Sequence, residues 1–147
     1  MNFNYLSRYQ PALLSLFRFV TGLLLFQYGI AKLFKFPALP YFADIPPLIY
    51  AAGTLELVLG AALMLGLFTR LTAFVLSGEM AFAYFLAHAP HGFWPLINHG
   101  ELAALYCFLF LYLAAAGGGA WSVDHWWHNR RIAPGEPARG QLGARGA

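Results

Sequence analysis

The chain has 147 residues, of which 60% are hydrophobic and only 10% charged, with a mean hydropathy of +0.58 and a formal net charge of +3. A soluble globular domain usually has about a quarter of its residues charged, so this composition excludes an ordinary water-soluble fold and points to lipid as the solvent. The small positive balance is no signature of nucleic-acid binding, and the lone cysteine, Cys107, excludes an internal disulfide and a CxxC redox centre.

Residues 1–10 read as a polar and aromatic lead-in, and Pro11 suits the first turn of a helix. The apolar segment that follows, to about Phe36, is too long for a signal-peptide core and has no small-residue cleavage site. It therefore predicts a transmembrane helix. Arg18, Gly22, Gly29 and Lys32 share one stripe of that helix. Arg18 and Lys32 are expected about 21 Å apart along the axis, each snorkelling toward its nearer interface. Pairing with a carboxylate of another helix is the functional alternative for Lys32.

Residues 37–47, PALPYFADIPP, hold four prolines and predict an ordered loop or cap on the far face. A second helix is predicted from about Leu48 to Phe68, with Thr69-Arg70 as a tight turn. Its Gly53, Glu56 and Gly60 share a face, so that small residues flank an acid and draw a neighbouring backbone close. The third helix is predicted from about Leu71 to Ala87, with Thr72, Glu79 and Ala83 on one face. Counted from a Thr69-Arg70 turn, Glu56 and Glu79 lie at depths of about 21 Å and 13.5 Å. That stagger of roughly 7 to 8 Å leaves room for a water or for Lys32 between them.

HAPHGFWPLIN predicts the next loop, anchored at the interface by Phe93 and Trp94. The fourth helix is predicted to open on a capping box, with Asn98 as N-cap and Glu101 at the third position, and to end at Gly117-Gly118-Gly119. Trp121, Trp126 and Trp127 form a second aromatic belt. Residues 132–147, rich in Pro, Gly, Ala and Arg, predict a disordered basic tail. The expected fold class is thus all-α: a four-helix transmembrane bundle over residues 1–131, followed by the tail. Arg8, Arg18, Arg70, Arg130, Arg131, Arg139 and Arg145 collect on one side and only Lys32 and Lys35 on the other. The positive-inside rule then places both termini in the cytoplasm.

With the segments in place, the pattern resembles the DoxX family of small bacterial integral membrane proteins, of DoxX or DoxD type. The resemblance rests on RFVTGLLLFQYGIAKLF, ELVLGAALMLGLFTRLTA, the polar-punctuated third helix, and the fourth helix with GGGAWSVD, from about Leu14 to Asp124. Its most specific piece is the spacing of Glu56, Gly60, Gly66 and Arg70. The resemblance implies a four-helix membrane bundle. It also implies kinship with subunits of quinone-linked sulfur oxidoreductases, and with proteins that accompany oxidative-stress or metal-handling genes.

Glu56, Glu79 and Lys32 are the candidate catalytic residues, because intramembrane carboxyls carry protons where quinone chemistry needs them. His88, His91, His99 and Glu101 flank one outward loop with His-x2-His and His-x-Glu spacing. That spacing matches no tight ligand motif, and no metal centre is assigned. No intrinsic cofactor is expected, with quinone as the one external candidate. The expected function is an inner-membrane subunit of a quinone-linked or redox-associated complex, its electron carriers on a soluble or membrane partner. At most the chain is such a subunit and not an enzyme alone. The alternative is a transporter, metal-handling factor or scaffold using the same polar interior. Expected partners are the lipid bilayer, the redox partner and a further copy of the chain in a homo-oligomer, with no nucleic acid.

Overall fold

The structure, a computed structural model, describes residues 4–132 and is all-helical, with no strand among the described residues. A one-turn α1 (Asn4–Ser7) precedes α2 (Gln10–Phe34), α3 (Pro47–Leu65) and α4 (Thr69–Ala83). A π-helical turn, Tyr84–His88, and a 3-10 turn, Ala89–His91, extend α4, so that α2, α3 and Thr69–His91 are each long and apolar enough to cross a membrane. The short α5 (Pro95–Asn98), the apolar 16-residue α6 (Glu101–Ala116) and the polar α7 (Val123–Ile132) complete the chain. Apart from Ile132, which ends α7, the tail expected to be disordered lies outside the described residues.

Helix α2 packs along α3 and α4 along α6, with α3 and α4 in contact as consecutive elements. Leu25, Leu63, Leu76, Met80, Tyr106 and Phe110 form the centre of the core. The outward faces carry exposed Val58, Phe74, Phe82 and Phe108, the pattern of helices whose outer solvent is lipid. The start of α2, the α3–α4 turn and the end of α6 meet at one end, where backbone and side chains of all three are hydrogen-bonded.

Three details differ from the sequence reading. The α3–α4 turn is Gly66–Phe68, and Thr69-Arg70 already belongs to α4. Gly66 (φ 71°) takes the left-handed conformation that a glycine reaches without a Cβ clash, and its N–H donates to Leu63 O while Leu67 N–H donates to Ala62 O, the paired bonds of a Schellman stop. Asp124 then starts α4 early, its two carboxylate oxygens accepting from Phe68 N at 2.8 Å and Thr69 N at 2.7 Å.

The expected capping box is absent. Gly100 is the N-cap of α6, with no side-chain cap, and Glu101 is exposed. Asn98 instead accepts from Gly100 N–H and donates to Gly92 O, which ties the preceding loop to the helix start across His99 in a left-handed conformation.

Arg18 does not snorkel. It is 2% exposed, and its guanidinium donates to the carbonyls of Leu63, Met64, Gly118 and Trp121. The last carbonyls of α3 have no partner inside their own helix, and a planar five-donor group is suited to hold them together with the glycine-rich segment. Ser15 adds a relay, donating to Pro11 O and accepting from Trp121 N–H.

Candidate functional site

The site begins with the approach of α2 to α3. A Cβ on Gly29 would stand 2.6 Å from Leu57 N and 2.8 Å from Gly53 O, and one on Gly60 would stand 3.0 Å from Phe26 N. Only glycine admits backbone this close, so the two stripes read from the sequence meet as one antiparallel seam. The Lys32 stem lies over Gly53, where a Cβ would come within 2.9 Å of the lysine's own Cβ. This groove leads Lys32 Nζ to Glu56 Oε1 at 2.6 Å, a charge-assisted hydrogen bond between nearly buried partners. Above the pair, Lys35 Nζ donates to Phe42 O at 2.5 Å, and the Phe42 ring lies 5.8 Å from Lys32 Nζ. The proline-rich segment folds here as a 3-10 turn, Pro40–Phe42, and caps this end of the seam.

Glu79 approaches from α4. It stands at the edge of the buried arc marked by Thr72, Leu76 and Met80, within electrostatic range of both Glu56 and Lys32. Among the described residues, neither of its carboxylate oxygens nor Glu56 Oε2 has a hydrogen-bond partner, and all three atoms are shut off from solvent. The earlier turn corrects the expected stagger. Glu56 lies nine residues before the end of α3 and Glu79 ten after the start of α4, or about 13.5 Å and 15 Å along the two axes. The carboxyls are therefore close to level. Two acids and one ammonium at one depth leave a single negative charge, which in a low-dielectric interior must be met by a proton or another cation.

The histidine loop is arranged differently. His88 Nδ1 lies 3.1 Å from Asn98 O and His91 Nδ1 lies 3.1 Å from Ala87 O, while His99 and Glu101 are exposed. No group of three or more His, Cys, Asp or Glu side chains is gathered for a metal among the described residues.

The DoxX family model matches residues 13–89, the stretch that carries most of α2, all of α3 and α4, and Lys32, Glu56 and Glu79. The chain belongs to the DoxX family. An uncharacterised protein of Haemophilus influenzae is 42% identical over 128 residues, which cover 83% of this DoxX chain and 96% of the relative. No solved structure matches it. The seam and its acids thus lie inside the family-matched region of this DoxX protein, while α6, α7 and Asp124 lie beyond it.

Sequence reasoning overlooked two residues that shape the site. Asp124 sets the register of α4, and hence the level of Glu79, from 55 positions away. Ser77 donates to Cys107 O at 2.8 Å and joins α4 to α6, which gives Cys107 a neighbour within a packed interface. A serine on the same helical stripe as Met80 and Leu76 was the available signal for the second. For Asp124 the only local signal was an acid opening a polar helix, which is equally a cap for its own helix.

Proposed function

We propose that this DoxX-family membrane protein crosses a bacterial inner membrane four times as one domain over residues 1–131. In this reading both termini are cytoplasmic, and the Lys32–Glu56–Glu79 cluster holds and passes one proton for a quinone-linked partner complex. The observation that carries the reading is the charge balance of the cluster: Lys32 is bonded to Glu56, and both oxygens of Glu79 are buried with no partner among the described residues. Such an acid accepts and releases a proton in a place where water is scarce. Quinone would be the complex's substrate, and the residues fit the proton side of its chemistry. In this reading the electron carriers belong to the partner.

The orientation rests on arginine. Arg18, Arg70, Arg130 and Arg131 cluster toward the end where α2 begins and α6 ends, and Lys32 lies toward the other. A reporter fused after residue 147 should read cytoplasm and one inserted in residues 88–95 the opposite side; a C-terminal reporter outside the cell would overturn four crossings. For the chemistry, quinone-linked oxidation is measured in membranes from cells whose only copy carries Glu79→Gln or Glu56→Gln. Turnover should fall by at least about tenfold with the protein level unchanged. Normal turnover by both well-folded variants would remove the proton role.

A further inference from the structure

At the end away from the carboxyl cluster, a cleft of about 920 Å³ opens between the start of α2, the α3–α4 turn, the glycine-rich segment after α6, and α7. Its volume is in the range of small-molecule sites. The polar half holds Arg70, His125, His128 and the backbone of Gly118 and Gly119. Arg70 Nη1 donates to Ala114 O and Ala115 O, closing the last turn of α6, while Nε and Nη2 have no acceptor among the described residues. The acid in the cleft, Asp124, makes no ion pair with Arg70 among the described residues; both of its oxygens accept from the start of α4. Gly118 and Gly119 N–H likewise have no acceptor among the described residues. The other half is apolar, formed by Leu14, Leu71 and Phe68, of which Leu71 and Phe68 are more than half exposed. Beside it, α7 stacks Arg130 on Trp126 at 3.7 Å and Arg131 on Trp127 at 5.5 Å, and Trp127 meets Phe68 with ring centroids 6.4 Å apart. Tryptophan and arginine paired on an exposed helix are suited to the headgroup layer.

We propose that this cleft binds the phosphate of an anionic phospholipid, with Arg70 and the Gly118–Gly119 amides holding the phosphate and Leu14, Leu71 and Phe68 receiving the start of an acyl chain. A guanidinium with free N–H groups beside unengaged backbone amides is matched to phosphate oxygens. The apolar half distinguishes a lipid from a free phosphorylated solute, which would leave those side chains uncovered.

The test uses the full chain in a neutral detergent, titrated with short-chain phosphatidylglycerol, short-chain phosphatidylcholine and glycerol 3-phosphate. Phosphatidylcholine carries the same phosphodiester but adds a choline ammonium that would stand against the Arg70 guanidinium, so phosphatidylglycerol should bind at least about tenfold more tightly, and Arg70→Gln should remove about tenfold of its affinity. Because Arg70 also closes α6, the exposed pair His125→Gln/His128→Gln provides a second variant that leaves that contact intact. It should weaken phosphatidylglycerol binding about threefold with an unchanged melting temperature. Glycerol 3-phosphate binding as tightly as the lipid would keep the phosphate site and assign it to a soluble ligand. Equal binding of both lipids, or full affinity in both variants, would overturn the proposal.

Discussion

Substituting Arg18 by methionine is expected to abolish the folded protein in detergent. The change keeps an apolar chain of similar reach and removes every donor. The carbonyls of Met64, Gly118 and Trp121 then lose the partner they use, and Leu63 O loses one of two. Each buried polar group left unsatisfied costs about 1–3 kcal/mol, so three of them approach the whole stability of a typical domain, roughly 5–15 kcal/mol. Arg18→Lys should lie between, since one ammonium cannot reach four acceptors spread over two segments. Size-exclusion profiles and melting temperatures of the three proteins decide this. A methionine variant that melts within a few degrees of the parent would show that the carbonyls find other donors.

Gly29→Leu should separate α2 from α3. Even a bare Cβ at this position meets Leu57 N, Leu57 Cα and Gly53 O within 2.8 Å, all of them backbone atoms that no rotamer change can move aside. Overpacking a tight core typically costs about 1–3 kcal/mol, the range expected for Gly29→Ala, and leucine should exceed it. Gly78 is the internal control. It lies on the same fold with nothing among the described residues within 4 Å of its would-be Cβ, so Gly78→Ala should leave the melting temperature equal or slightly higher. Equal melting temperatures for Gly29→Ala and Gly78→Ala would mean that the seam is looser than these contacts. Because Lys32 reaches Glu56 over Gly53 on the same seam, a Gly29 variant that still folds should also lose proton-linked activity.

The seam was legible because its information is local. Arg18, Gly22, Gly29 and Lys32 on one helix, and Gly53, Glu56 and Gly60 on another, follow from a 3.6-residue period, and six of these seven residues are buried, with Lys32 partly so. The Lys32–Glu56 bond followed as one of two readings of an intramembrane lysine. What escaped depends on contacts distant in sequence. The acceptors of Arg18 lie 45 to 103 positions away, so its stripe position is read as easily for a snorkelling residue. The start of α4 was misplaced because Asp124 caps it from beyond α6. Asn98 and Glu101 have the right residue types for a capping box. The left-handed turn at His99 shifts the helix start by two residues, so the two side chains never exchange bonds.

The claim that one proton resides in the Lys32–Glu56–Glu79 cluster is tested most directly with an apolar carbodiimide. This reagent partitions into membranes and adds covalently to protonated carboxyls. Peptide mass spectrometry on treated membranes at neutral pH should find one adduct, on Glu79, with none on the exposed Glu101. Lys32→Gln removes the ammonium that balances Glu56 and should add a second adduct there. An unlabelled Glu79 in the parent protein, or a labelling pattern indifferent to Lys32→Gln, would contradict a shared proton at this site.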